Sequence, residues 1–87
     1  MAYIDLSELE TREMVPGFHG RFVHTDNMTF VYWDIKAGST LPEHSHPHEQ
    51  VVNVLEGELE FTVDGDVREM KPGQVAVVPA NAMHSAK

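Results

Sequence analysis

The chain has 87 residues and a formal net charge of −8 at pH 7, and it contains no cysteine. This length allows one domain with a modest core, and the 41% share of hydrophobic residues is ordinary for a globular protein. The negative charge and the lack of a basic stripe exclude a nucleic-acid binder, while the missing cysteines exclude disulfides and thiolate metal ligands. We expect one domain that spans residues 1–87.

The sequence carries no signal that directs it to a membrane or out of the cell. No apolar run approaches the roughly 18 residues that a membrane span requires. The N-terminal segment has Asp5, Glu8 and Glu10 where a signal peptide has a basic start and an apolar stretch. We therefore expect a cytoplasmic protein without a membrane partner.

Residues 1–14 mix acidic and apolar side chains without a clear period, and Ser7 is the candidate cap for one helical turn. An edge strand, or a segment that packs on a neighbouring subunit, is an equally good interpretation. Pro16-Gly17 and Gly20 are expected to end this segment.

The rest of the chain has the pattern of short strands. Residue pairs that favour tight turns, such as Asp26-Asn27 and Asp64-Gly65, separate runs that are rich in aromatic and β-branched residues. We predict strands over residues 21–25, 28–36, 49–55, 58–63, 67–70 and 74–79. Short strands with turn signals about every 8–12 residues predict an all-β barrel or sandwich.

Side chains that suit a metal are concentrated in residues 38–57, which read G-S-T-L-P-E-H-S-H-P-H-E-Q-V-V-N-V-L-E-G. Side chains alternate between the faces of an extended segment, so His44 and His46 point to the same side, and Gln50 joins them if the chain stays extended. Two imidazoles and an amide oxygen suit a divalent metal, and His84 offers a further ligand.

Glu49 is the alternative to Gln50 as the oxygen ligand. In a regular strand Glu49 faces away from the histidines, whereas a bulge after Pro47 would exchange the two positions. With Gln50, the ligands are three imidazoles and an amide, all neutral, which leave the full charge on the metal. These ligand types suit Mn, Fe(II), Co, Ni or Zn and do not select among them.

The spacing of glycines and histidines in this stretch resembles the first cupin motif, G-x5-H-x-H-x3,4-E-x6-G, with Gln50 in the acidic position. Residues 65–84 are similar, more loosely, to the second cupin motif, G-x5-P-x-G-x2-H-x3-N, through their glycines, Pro72 and His84. Within the cupins, the runs H-S-H-P-H-E-Q and P-A-N-A-M-H-S-A are most similar to the small cupins of pectin degradation.

The resemblance implies an all-β, cupin-type antiparallel β-barrel or jelly roll that binds one divalent metal through His44, His46, Gln50 and His84. It also implies action on an unsaturated uronate or related sugar acid from pectin or alginate, converted to its linear keto form by an isomerase-like or lyase-like enzyme. Small cupins carry two more strands after the second motif, and important catalytic side chains lie on them. The present sequence ends three residues after His84, so we expect these strands to be absent and leave the acid/base residue unassigned. Strand exchange in a homodimer would complete such a barrel, and the alternative expectation is that the chain is a fragment of a longer polypeptide.

Two other functions fit the same motifs. One is a non-catalytic cupin that binds a sugar or another small molecule, and the other is a different metal-dependent cupin enzyme, such as a dioxygenase. Arg21 begins a predicted strand and is the candidate contact for a substrate carboxylate, with Tyr32 and His48 as further candidates for substrate binding. A solvated arginine, a core tyrosine and an exposed histidine are the simpler interpretations of these three.

Overall fold

The structure is a computed structural model that describes residues 3–87, and almost all of its regular structure is antiparallel β-strand. The strands are β1 (Arg12–Val15), β2 (Phe18–His24), β3 (Thr29–Ile35), β4 (Leu41–His44), β5 (Gln50–Asn53), β6 (Leu59–Val63), β7 (Asp66–Met70), β8 (Val75–Val78) and β9 (His84–Ala86). The all-β fold class predicted from the sequence is confirmed.

The chain divides into two compact units, one that ends at Ser39 and one that comprises Thr40–Lys87. The first contains the sheet β1-β2-β3, and the second contains the sheets β4-β9-β6-β7 and β5-β8. The strand exchange and the single domain expected from the sequence stay predictions. Within residues 3–87, no helix has the length and apolar character needed to cross a membrane.

The N-terminal segment forms one turn of 3-10 helix, Leu6–Glu8, followed by the edge strand β1. The expectation that Ser7 caps this turn is wrong, because the Asp5 carboxylate accepts a hydrogen bond from Ser7 N at 3.0 Å. Asp is as good an N-cap as Ser, and here it precedes the turn by one residue.

Gly20 does not break the chain as predicted but lies inside β2, opposite Trp33 in β3. A Cβ atom at this position would be 2.9 Å from Cζ3 of the Trp33 ring. The absence of a side chain therefore lets the indole lie across the neighbouring strand. The predicted Asp26-Asn27 turn is confirmed, since Thr25 N donates to Met28 O at 2.8 Å.

In the C-terminal unit, the turn between β6 and β7 is the predicted pair Asp64-Gly65. Both residues have positive φ, 47° and 81°, as the turn that matches the twist of a hairpin requires. Asp64 also fixes the start of β9, since its N–H donates to Met83 O at 2.8 Å and its Oδ1 accepts from Met83 N at 3.1 Å. The hairpin turn thus holds the backbone next to His84.

Apolar side chains from both sheets fill the centre of the C-terminal unit. The buried ones are Val54, Phe61, Met70, Val78, Ala82 and Ala86. His84 is the one polar side chain buried with them in the described residues, with 1% of its surface exposed. A buried imidazole that lies among apolar groups needs a partner for each ring nitrogen.

Candidate metal centre

Three histidines from separate segments converge in the C-terminal unit. His44 ends β4, His46 lies in the connection that follows, and His84 begins β9 directly opposite His44. The ring centroids of His44 and His84 are 4.1 Å apart, and one nitrogen from each of the three rings lies within 4.8 Å of the others. The three side chains are therefore positioned to hold a metal ion.

The three rings are oriented by the same kind of local hydrogen bond, in which Nδ1 donates to a backbone carbonyl two residues away. The pairs are His44 Nδ1 to Pro42 O (2.8 Å), His46 Nδ1 to His48 O (2.9 Å) and His84 Nδ1 to Ala82 O (2.9 Å). A carbonyl oxygen only accepts hydrogen bonds, so Nδ1 carries the proton and Nε2 keeps a lone pair. Each ring can therefore present Nε2 as its metal-binding atom.

The Nε2 atom of His84 is buried and has no hydrogen-bond partner within residues 3–87. Burial lowers the pKa of His84 below its ordinary value of 6.5; the hydrogen bond to Ala82 raises it, and positive charge on His44 and His46 lowers it further. The net effect keeps the ring neutral, which is the form that binds a metal. A cation at the centre of the cluster would satisfy the unpaired nitrogen.

Gln50 contacts the cluster from the first position of β5, where its Oε1 lies 3.0 Å from Nε2 of His46. Two ligand atoms about 2.1 Å from one metal, at a right angle to each other, are about 3.0 Å apart. Glu49 is exposed and precedes the strand. The arrangement favours Gln50 over Glu49 as the fourth ligand, and the binding of a metal by these four residues stays a prediction.

His44 and His46 contribute to one cluster, in agreement with the expectation that they point to the same side, but the condition for Gln50 to join them, an extended chain past Pro47, is not met. The chain leaves β4 after His44, bends at Pro47-His48, and enters β5 at Gln50. Proline removes a backbone donor and fixes φ, so the segment cannot continue as a regular paired strand. The three side chains meet because the chain turns around the site.

Asn81 holds the connection in place and was not identified from the sequence. Its N–H donates to the carbonyl of His46 at 2.8 Å, and its φ is 66°. Asn tolerates this left-handed conformation better than most residues. The segment just before β9 thus positions His46 as well as His84.

The three candidate substrate contacts lie in different surroundings. Arg21 and Tyr32 are opposite each other in the sheet of the N-terminal unit, and Arg21 Nη1 is 3.6 Å from the Asp34 carboxylate. His48 has an exposed side chain, and its carbonyl oxygen orients His46. Roles in substrate binding stay predictions for all three.

Comparisons with known proteins agree with this geometry. The cupin domain model matches residues 31–87, whereas no curated protein matches the sequence at a significant level. The solved structure of KdgF from Halomonas sp. has 25% identity and a TM-score of 0.91, over 99% of this chain and 80% of that chain. An RmlC-like cupin from Shewanella frigidimarina NCIMB 400 has 24% identity and a TM-score of 0.85, over 99% of this chain and 78% of that chain, and it shows the same fold.

Proposed function

Because this chain belongs to the cupin family, we propose that it is a metal-dependent cupin that acts on an unsaturated uronate or a related sugar acid. The observation that carries the proposal is the convergence of three imidazoles whose Nδ1 atoms are all held by backbone carbonyls. Packing alone does not explain this arrangement, because three polar nitrogens beside the core cost desolvation free energy unless they have partners. A bound cation would provide that partner for all three Nε2 atoms.

The donor set fits one divalent metal. His44, His46, His84 and Gln50 would hold it, and their mixed nitrogen and oxygen atoms suit Mn, Fe(II), Co, Ni or Zn. When bound, a metal with four neutral protein ligands would polarise the oxygens of a substrate. Backbone carbonyls favour one tautomer of each ring, and His84 is buried.

Two resemblances support the substrate class. The runs H-S-H-P-H-E-Q and P-A-N-A-M-H-S-A are similar to those of the pectin-degradation cupins, and the fold is similar to that of KdgF at 25% identity. The neutral ligand set is a third consideration. In a chain with a net charge of −8, it preserves a local positive centre to which a sugar acid could bind.

The test is turnover of 4,5-unsaturated galacturonate by the metal-reconstituted protein. The conjugated double bond is lost when this sugar acid is converted to its linear keto form, so ultraviolet absorbance reports the reaction and NMR identifies the product. His46→Ala should abolish turnover, while His24→Gln, which changes an exposed histidine of the N-terminal unit, should preserve it. Metal-dependent binding without turnover would favour a non-catalytic sugar-binding cupin, and the absence of both would overturn the proposal.

A further inference from the structure

One short stretch of chain, residues 78–84, contains or contacts all four proposed metal ligands. It runs from the end of β8 to the start of β9. The contacts are Val78 opposite Gln50, the N–H of Asn81 on the carbonyl of His46 at 2.8 Å, and His84 opposite His44. The shape of this stretch therefore affects the relative positions of all four ligands.

The shape of residues 78–84 depends on a tight turn at its centre. Ala82 N donates to Pro79 O at 3.2 Å, which closes a turn of four residues. Asn81 is the third residue of this turn and has a φ of 66°. A type II turn requires a positive φ at its third residue, where glycine and asparagine are favoured. The turn therefore depends on the backbone conformation of Asn81.

The backbone of this turn is connected to two of the histidines. The N–H of Asn81 donates to the carbonyl of His46, and the carbonyl of Ala82 accepts from Nδ1 of His84 at 2.9 Å. The side chain of Asn81 is exposed, so its contribution to the site comes through the backbone. A change in the turn would displace the hydrogen-bond partners of both histidines together.

Both ends of the turn are held by the rest of the C-terminal unit. At one end, Val78 is fully buried in the core. At the other end, Met83 exchanges two hydrogen bonds with Asp64, its carbonyl accepting at 2.8 Å and its N–H donating at 3.1 Å. Because neither end is free to shift, a change of φ at Asn81 has to be absorbed within the turn itself.

We propose that Asn81 is a positioning residue for the metal, and that its left-handed conformation sets the affinity of the site for a divalent cation. The inference rests on the metal site of the proposed function and deepens it. A residue that avoids positive φ would let the turn relax in the metal-free protein. Metal binding would then have to restore the turn, which lowers the affinity although no ligand has been changed.

The test measures the affinity of the metal-free protein for Co²⁺ by competition with a chelator, without any sugar. Asn81→Ala keeps the backbone N–H but disfavours the left-handed conformation, so it should weaken cobalt binding about tenfold. It should also alter the visible absorption of bound cobalt, which reports the geometry of the ligands. Asn81→Gly adopts positive φ readily and should bind cobalt with nearly the affinity and the spectrum of the unaltered protein.

Gly57→Ala is the matched control for backbone strain. Gly57 lies in the connection between β5 and β6 with a φ of 74°, and a Cβ atom there would have no neighbour within 4 Å. This substitution places the same residue in the same backbone conformation, but outside residues 78–84. It should lower the free energy of unfolding, measured with denaturant, and leave the affinity for cobalt unchanged.

Three results would overturn the inference. Unchanged cobalt affinity in Asn81→Ala would show that the turn does not position the ligands. An equal loss of affinity in Gly57→Ala would indicate general destabilisation, and an equal loss in Asn81→Gly would indicate the side chain rather than the backbone. The predicted cobalt affinities in a protein that does not convert an unsaturated uronate would support the inference, while the proposed substrate class would fail.

Discussion

The Nε2 atom of His46 and the Oε1 atom of Gln50 face each other at 3.0 Å. When Nδ1 of His46 donates to the carbonyl of His48, the Nε2 atom of the neutral ring has a lone pair beside the amide oxygen of Gln50. A cation between these two atoms could share both lone pairs. The position of Gln50 therefore agrees with its predicted role as a metal ligand.

Substitutions at Gln50 test this relationship directly. Gln50→Leu removes the oxygen donor and should weaken metal binding by about tenfold or more, as changes to the immediate surroundings of a metal generally do. Gln50→Glu adds a negative charge and should tighten it, because affinity for a divalent cation rises with the charge of its ligands. Competition with a chelator measures both. Equal metal affinities for Gln50→Leu and the unaltered protein would remove Gln50 from the ligand set.

The pKa of His84 predicts how the metal-free protein responds to acid. Burial lowers this pKa below 6.5, so between the folded and unfolded values the unfolded chain binds more protons than the folded one. The contribution of His84 to the free energy of unfolding is therefore fully present above about pH 6.5 and declines as the pH falls through the folded pKa.

Denaturant unfolding in the presence of a chelator, at a series of pH values from neutral to acidic, measures this decline. The His84→Gln variant should show a shallower pH dependence because it lacks the titrating ring. The His24→Gln variant, which changes an exposed histidine, is the control and should retain the slope of the unaltered protein. An identical slope in the His84→Gln variant would contradict the assignment.

Asp64 should contribute to stability through both its conformation and its carboxylate. Asp64→Ala loses the hydrogen bond from Met83 N and places alanine at a φ of 47°, so it should lower the free energy of unfolding by about 2 kcal/mol. Asp64→Asn keeps the acceptor oxygen and tolerates the left-handed conformation, so it should cost less than about 0.5 kcal/mol. Unfolding curves that show the same loss for both variants would contradict this account.

The features that sequence reasoning predicted correctly are those that depend on local chemistry. Asp26-Asn27 and Asp64-Gly65 form turns because neighbouring residues alone determine their backbone preference. The candidate ligands were selected by residue type and by similarity to a motif, and the structure brings His44, His46 and His84 together. Strand parity could not be extended to Gln50, because the chain bends at Pro47-His48.

The features that were missed depend on pairing between distant segments. β4 contains Pro42 and β9 has only three residues, so neither has a recognisable strand pattern by itself. Each segment becomes a strand by antiparallel pairing with the other, which places His44 opposite His84.

The central claim is that the histidine cluster binds a metal, and elemental analysis of the purified, metal-reconstituted protein tests it most directly. We predict about one divalent metal per chain in the unaltered protein and none in the double variant His44→Ala/His46→Ala, which loses two of the proposed ligands. Folding of the variant is checked by circular dichroism. The same metal content in both proteins, or no metal in the unaltered protein after reconstitution, would contradict the claim.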